Sequence, residues 1–248
     1  TDLKHSLRFF VAVFFLLLLV LPATARTSVL SVGVAEYKDP EVPDLVYSGK
    51  DAIKFASVMK TQAKDVVTLT SDNATHDNIL SVINTIAAQA VASDRFVMFF
   101  SGHGANSLIL THDKPLYYSE LNSALAALKS KEIILFIDAC HSGSIADDIA
   151  LPGKDVVVMA SSRKSEYSRE ERNFVLTSYM TQALLKGMQG KADFDKNKQI
   201  TVIELFKYIY QDVTSRADDV DRLSGNTDKQ HPQLITSKRC HSMVVTTW

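Results

Sequence analysis

Short apolar runs alternate with segments of helical periodicity along most of the chain. The runs are continuously apolar, which is typical of strands buried on both faces of a sheet. They cover Ser28–Ala35, Asp65–Thr70, Arg95–Phe100, Glu132–Ile137 and Asp155–Ala160. Helical spacing predicts helices over Gly49–Lys60, from Thr75 to near Ser93, over Ser119–Leu128 and over residues 201–210. Because strands and helices alternate, the sequence predicts an α/β fold of three layers, with a mainly parallel central sheet and helices on both faces.

Two of these helices carry more detailed expectations. In the first, helical spacing places Ile53, Phe55, Ala56 and Met59 mostly on one face. The second is expected to begin after Thr75, whose hydroxyl suits an N-cap. No internal repeat or low-complexity tract interrupts the pattern.

The N-terminal 25 residues have a different character. Lys4 and Arg8 precede the apolar run Phe9–Leu21, and a small-residue site follows at Ala23–Ala25. This three-part pattern predicts a signal peptide over residues 1–25 and one mature domain over residues 26–248. The apolar run is shorter than the about 20 residues that span a bilayer, which favours cleavage over the alternative of a retained membrane anchor. We expect an exported protein, periplasmic or secreted, that is not in a membrane after cleavage.

Charge and composition narrow the range of partners. The chain has 27 Lys and Arg against 28 Asp and Glu, with a formal net charge of −1, and no basic run is interleaved with aromatic residues. Nucleic acid is therefore not an expected partner. The hydrophobic fraction of 46% suits one domain with a sizeable core. The sequence leaves the oligomeric state open.

Candidate catalytic residues follow directly after two of the predicted strands. His103 lies in the segment SGHG after the third strand, and Cys140 lies in DACHSG after the fourth. In a parallel sheet, side chains that follow the carboxyl ends of strands gather at one edge. A thiol needs a nearby imidazole to form the thiolate and to protonate the leaving amine, so the pair predicts a Cys–His dyad. The backbone N–H groups of Gly104 and Cys140 are candidate donors to the oxyanion.

Two alternatives accompany this assignment. His141 is a rival base, although a residue adjacent to the nucleophile tends to point away from it. The chain has two cysteines, and in an oxidising compartment Cys140 and Cys240 could instead form one disulfide.

The pair SGHG and DACHSG resembles the His and Cys motifs of metacaspases and bacterial caspase-like proteins. The resemblance extends over residues 28 to about 238 and implies a caspase-hemoglobinase-like fold and a cysteine endopeptidase. The sequence departs from the animal caspase pattern, because Asp138 and His141 stand where that pattern has Gln before Ala-Cys and Arg, Gln or Gly after it.

The resemblance also implies a pocket for the P1 side chain of a peptide or protein substrate. In metacaspases, acids at the positions of Asp51 and Asp138, with a serine at the position of Ser101, line this pocket. They imply a preference for Arg or Lys, which carboxylates can pair. The alternatives are a helix-start acid at Asp51 and a fold-stabilising carboxylate at Asp138. Ser48 stands where metacaspases can carry a cysteine.

A candidate metal loop lies further along the chain. Its oxygen ligands follow EF-hand spacing and are Asp193, Asp195, Asn197, Gln199 and Glu204. Lys198 stands where the sharp turn normally has Gly, which lowers the expected affinity. The alternative is a structural turn that caps the following helix. The Cys–His chemistry itself requires no cofactor, and calcium is the candidate ligand.

Other functional interpretations stay open on the sequence alone. The charged segment Ser161–Arg172 is either a substrate-side loop, as in caspase-like enzymes, or a solvated surface loop. Residues 230–233 resemble the family segment before the last strand and are expected to be structural. The whole protein could be a catalytically silent caspase-like binding module, a calcium-responsive binding protein, or an enzyme of another acyl-transfer class.

Overall fold

A central six-stranded sheet organises the protein. The computed structural model describes residues 25–169, 177–224 and 229–248. The strands are β1 (Thr27–Gly33), β2 (Asp65–Thr70), β3 (Arg95–Ser101), β4 (Gly104–Ala105), β5 (Leu108–Leu110), β6 (Pro115–Tyr117), β7 (Glu132–Asp138), β8 (Asp155–Ala160), β9 (Gln199–Thr201), β10 (Gln233–Thr236) and β11 (Val244–Thr247). The helices are α1 (Ser48–Met59), α2 (His76–Gln89), α3 (Tyr118–Ala126), α4 (Tyr179–Lys186) and α5 (Val202–Ser224).

The strand order in the central sheet is β10-β8-β7-β3-β1-β2. All neighbours are parallel except β10, which runs antiparallel to β8 at one edge. Strands β4, β5 and β6 form a small antiparallel sheet, and β9 pairs with β11. The predicted mainly parallel sheet is therefore confirmed.

Apolar side chains cover both faces of the sheet. Along β3, Phe96 and Met98 contribute to one core cluster while Val97 and Phe99 contribute to the other, because successive side chains of a strand point to opposite faces. Helices α1, α4 and α5 pack on the face of Val97, and α2 and α3 pack on the face of Phe96. This is the three-layer α/β arrangement that the alternating pattern predicts.

Several details differ from the predicted elements. Of the four apolar residues expected mostly on one face of α1, Phe55, Ala56 and Met59 are buried, whereas Ile53 is 57% exposed and lies off that face. Helix α2 ends at Gln89 rather than near Ser93, and α5 continues to Ser224, well beyond the predicted residue 210. Thr75 does cap α2, accepting a hydrogen bond from the backbone N–H of Asn78 at 3.2 Å.

The predicted signal peptide lies outside the described residues apart from Ala25. Within the described part of the chain, none of the helices combines the length and apolar composition that crossing a membrane requires.

Candidate active site

Strands β3 and β7 bring the two predicted catalytic loops to one sheet edge. The strands are parallel neighbours in a register that pairs Ser101 with Asp138. Just beyond this pair, the backbone N–H of Gly102 donates to the carbonyl of Asp138 at 3.2 Å. His103 and Cys140 each follow two residues after this pair, so the two loops leave the same edge of the sheet side by side.

The imidazole of His103 is held by two groups that precede α1. Its Nε2 lies 2.9 Å from the carbonyl oxygen of Pro43, and its ring lies against that of Tyr37 with centroids 5.0 Å apart. The Tyr37 hydroxyl also accepts the backbone N–H of His103 at 2.8 Å. A carbonyl oxygen only accepts hydrogen bonds, so Nε2 carries the proton of the neutral ring. Nδ1 is therefore left as the basic nitrogen.

The backbone around Cys140 is fixed from the end of β8. The Ala139 N–H donates to the Ser161 hydroxyl at 3.1 Å, and the Ala139 carbonyl accepts the hydroxyls of Ser161 and Ser162 at 3.0 and 3.2 Å. The Cys140 side chain is partly exposed, whereas Cys240 is 2% exposed. The two cysteines are not joined to each other, which removes the disulfide alternative.

Gly104 lies against the loop that carries Cys140. A Cβ at this position would lie 2.7 Å from the carbonyl oxygen of Cys140 and 2.8 Å from the Cβ of Ala139. Real Cβ atoms do not come this close, so any larger residue would push the loops apart. The position next to the dyad thus requires glycine for a packing reason.

His141 turns away from the dyad and binds the loop after β8. Its backbone adopts the left-handed conformation, with φ of 57°. Its N–H donates to the Glu166 carbonyl at 2.8 Å, and its Nδ1 lies 2.9 Å from the Lys164 carbonyl. Its ring also meets the edge of Tyr167 at a centroid distance of 5.0 Å. These contacts favour His103 over His141 as the base.

The three residues expected at the P1 pocket lie in one buried cluster. Asp51, Ser101 and Asp138 are 0%, 3% and 3% exposed. The Ser101 hydroxyl donates to Asp51 Oδ2 at 3.4 Å. Ser178, the N-cap of α4, joins the two acids, since its N–H donates to Asp51 Oδ2 at 3.2 Å and its hydroxyl donates to Asp138 Oδ2.

Further donors to the two acids were not foreseen from the sequence. Thr177 donates through its hydroxyl to Asp51 Oδ1. Thr181 donates to Asp138 Oδ2 through its N–H at 3.1 Å and its hydroxyl at 2.8 Å. The Ser168 hydroxyl donates to Asp138 Oδ1 at 2.8 Å. The one local signal is Ser178 followed three residues later by Thr181, a spacing that suits a helix N-terminus.

Ionisation of Asp51 is unfavourable in this buried cluster. Burial raises the pKa of the Asp51 carboxyl from its ordinary 3.8 to about 7. The hydrogen bond from Thr177 opposes this rise, and the nearby charge of Asp138 adds to it. Among the described residues, no Lys or Arg forms a salt bridge with either acid. Within the described residues, the positive charge of Lys54 lowers the pKa of Asp51 only as the smallest of the contributions.

The candidate metal loop has a preformed geometry. Ligand oxygens of Asp193, Asp195 and Glu204 all lie within 4.8 Å of one another. Each carboxylate also has a protein donor: Lys198 N–H at 3.0 Å from Asp193, Asn197 N–H at 3.1 Å from Asp195, and the Thr201 hydroxyl at 2.6 Å from Glu204. The Glu204 contact caps α5, as the structural-turn alternative expects.

The remaining predicted ligands take part in the same loop. Asn197 accepts the Gln199 N–H on its side-chain oxygen at 2.7 Å, and the side chain of Gln199 is exposed. Lys198 adopts φ of 63° at the position where an EF-hand has glycine. The backbone thus follows the expected sharp turn with a residue that is strained there.

The sequence of the whole domain matches a known family. The family model of the caspase domain matches residues 26–243. The chain belongs to the caspase domain family. Caspase domains are cysteine peptidase domains that act on protein substrates. The loops that carry His103 and Cys140 therefore lie in a domain of the cysteine peptidase type.

Solved structures show the same fold. Protein GSU0716 from Geobacter sulfurreducens is similar with a TM-score of 0.66 at 15% identity, covering 86% of this chain and 93% of that one. Caspase-1 from Spodoptera frugiperda is similar with a TM-score of 0.65 at 16% identity, covering 86% of this chain and 89% of that one. Among curated protein sequences there is no significant match. At these identities the likeness supports the fold alone.

Proposed function

We propose that this caspase domain is an exported cysteine endopeptidase that uses a Cys140–His103 dyad and cleaves after Arg or Lys. The observation that carries the dyad is the contact between His103 Nε2 and the Pro43 carbonyl at 2.9 Å. This contact fixes the tautomer whose Nδ1 is basic, and the register of β3 and β7 brings that imidazole to the edge where Cys140 emerges.

The reaction follows from these positions. His103 takes the thiol proton of Cys140, and the thiolate attacks the scissile carbonyl carbon. The oxyanion that forms is stabilised by the N–H groups of Gly104 and Cys140. His103 then gives its proton to the leaving amine, and the carbon–nitrogen bond breaks. Water, deprotonated by His103, hydrolyses the thioester, and the thiol is restored. No metal takes part in these steps.

The buried acids supply the argument for a basic P1 residue. Asp51 and Asp138 lie together behind the dyad, and no described Lys or Arg forms a salt bridge with them. A guanidinium or ammonium group can form charge-assisted hydrogen bonds with both, and it relieves their mutual repulsion. A P1 Asp would add a third negative charge.

Peptidase assays with single variants test the proposal. We expect the wild-type protein to cleave fluorogenic peptides with P1 Arg or Lys and to spare those with P1 Asp. Cys140→Ala and His103→Ala should each abolish cleavage, because the two residues act as a unit. Cys240→Ser is the matched control for the thiol, since Cys240 lies away from the dyad, near Ser237 and Asp155. Full activity of either dyad variant contradicts the mechanism.

Export is proposed from the three-part pattern of residues 1–25. Mass spectrometry of the protein recovered outside the cytoplasm should find an N-terminus at or near Arg26. Finding the apolar run Phe9–Leu21 still attached would instead support a membrane anchor.

A further inference from the structure

The loop that follows β8 lies directly against the nucleophile. Ser168 donates its N–H to Cys140 Sγ at 3.4 Å, and its carbonyl oxygen lies 3.8 Å from the same sulfur. A scissile carbonyl carbon must approach this sulfur to within bonding distance. The peptide groups on either side of Ser168 therefore restrict the approach to this partly exposed sulfur.

The same residue also closes the candidate P1 pocket. The Ser168 hydroxyl donates to Asp138 Oδ1 at 2.8 Å. The other oxygen of Asp138 accepts donors from Ser178 and Thr181 at the start of α4. Oδ1 is therefore the oxygen whose donor comes from the loop, and a substrate cation would compete with Ser168 for it.

Gln230 holds Ser168 in this position. Its side chain is 1% exposed and contacts both Ser161, at the start of the loop, and Ser168. Its amide nitrogen donates to the Ser161 carbonyl at 3.0 Å and to the Ser168 hydroxyl at 3.3 Å, and its oxygen accepts the Arg169 N–H at 3.1 Å. Gln230, expected to be structural, thus contacts the residue that lies against the Cys140 sulfur.

A second pair of contacts fastens the middle of the loop. The Glu166 side chain accepts the N–H of His231 and lies against its Nδ1, both at 2.8 Å. Both side chains are largely buried, at 13% and 17% exposure. Glu166 also holds His141, the residue after the nucleophile, through its backbone carbonyl. These contacts hold the described part of the loop beside the thiol, which stays partly exposed.

We infer that Ser168 couples recognition of a basic P1 side chain to exposure of the Cys140 thiol. In the closed arrangement described here, one residue contacts both the nucleophile and the pocket carboxylate. A cationic side chain forms stronger, charge-assisted bonds with Asp138 than a serine hydroxyl does. Withdrawal of the loop then breaks the contacts at Asp138 and Cys140 together.

The coupling requires that a cation bind better when the loop is withdrawn than when it is closed, and the burial of the two acids provides this difference. A ligand shifts a conformational equilibrium only if it binds one state better than the other. Asp51 and Asp138 are buried in the closed arrangement, so a cation gains access to them only when the loop withdraws. Binding of the cation therefore favours the state in which the thiol is uncovered. This inference rests on the proposed basic P1 specificity.

Alkylation of Cys140 by iodoacetamide, measured by peptide mass spectrometry, tests the coupling without any peptide substrate. The probe is butylguanidine, and butylurea is its neutral isostere, both at one ionic strength. We expect butylguanidine to accelerate alkylation of wild-type Cys140 by about threefold or more and butylurea to leave it unchanged. Cys240 in the same sample is the internal reference. Slower or unchanged alkylation with butylguanidine overturns the inference, and this result needs no variant.

Variants separate loop displacement from a direct effect of the cation on the thiolate. Ser168→Ala should react faster than wild type without any probe and should lose the acceleration. Gln230→Ala should also raise the rate without probe, because Ser168 loses its support. Ser165→Ala, an exposed serine in the same loop, is the matched control and should behave as wild type. An acceleration that persists in Ser168→Ala overturns the inference.

Cleavage assays distinguish this failure from failure of the proposed function. If wild type cleaves P1 Arg peptides but butylguanidine does not accelerate alkylation, the coupling is wrong and the specificity stands. If wild type does not prefer basic P1 residues, the specificity itself is wrong.

Discussion

Replacing Asp51 with Asn should remove a pH dependence from the stability of the fold. In the native protein the pKa of Asp51 is raised to about 7 by burial, whereas its ordinary value is 3.8. The folded state therefore holds the Asp51 proton more tightly than the unfolded state does. The contribution of this proton to the free energy of unfolding is fully present at pH values below the ordinary pKa. It is lost as pH rises through the pKa of the folded state.

The magnitude follows from the size of the shift. One pKa unit corresponds to about 1.4 kcal/mol, so between about pH 5 and about pH 8 the wild-type protein should lose roughly 2 to 3 kcal/mol through this group. Asp51→Asn cannot ionise, so the variant should lack this part of the slope. Its absolute stability is a separate matter, because an amide offers one acceptor fewer to Thr177, Ser178 and Ser101.

Urea unfolding at a series of pH values measures the effect. Cys140→Ala should be present in every protein so that self-cleavage does not interfere. Titrating groups that do not interact with Asp51 contribute equally to parent and variant, so the difference between their free energies of unfolding reports on Asp51 together with its coupling to Asp138. Asp72→Asn, at an exposed carboxylate, is the matched control. A difference that stays constant from about pH 5 to about pH 8 refutes the assignment of a raised pKa.

Two other regions give independent predictions. Gly104→Ala should lower kcat by about tenfold to a hundredfold, because its Cβ would displace the Cys140 loop. Gly49→Ala, at a position with open space around it, is the control and should leave kcat unchanged. Equal effects of the two substitutions on kcat would contradict the packing argument. The indole of Trp248, the only tryptophan, donates to Asp193 at 3.1 Å, so its fluorescence reports on the 193–204 loop. We expect calcium to change the Trp248 fluorescence only near the millimolar range, because Lys198 replaces the usual glycine and three carboxylates are available. Saturation of the fluorescence change at micromolar calcium would contradict this expectation.

The sheet was predictable because its strands are continuously apolar and separated by amphipathic helices. The elements that the sequence did not reveal are short or polar. Helix α4 has eight residues, and the second half of α5 is mostly polar, with Val213 and Ala217 as buried contacts. Strands of two or three residues, such as β4 and β5, are too short to show a period.

The candidate site also contains residues with a sequence signature and groups without one. Cys140, His103 and Gly104 carry distinctive side chains or backbone requirements just past strand ends, so they could be predicted. The group that orients His103 is the Pro43 carbonyl, 60 residues earlier. A backbone carbonyl has no sequence signature, and its position depends on tertiary packing.

The donors around the two acids also escaped prediction for a physical reason. Serine and threonine are common in loops and at helix starts, where they cap helices. Only the packing of α4 against β7 and α1 shows that Ser178 faces Asp51 and Asp138 at once. Its role depends on contacts across more than 100 residues of sequence separation, with Asp51 at 127 positions away.

The effect of the Asp51–Asp138 pair on the pH dependence of stability and its proposed effect on P1 preference have a common origin. Burying Asp51 beside Asp138 costs stability when both are ionised, and a cation that binds them removes that cost. Burial is the main cause of the loss of stability at high pH and the charge of Asp138 adds to it, and both would favour the proposed binding of a basic P1 side chain. Asp51→Asn should therefore flatten the pH dependence of stability and also reduce the ratio of P1 Arg to neutral P1 cleavage. A variant that lost the pH dependence but kept the full ratio would show that the basic preference arises elsewhere.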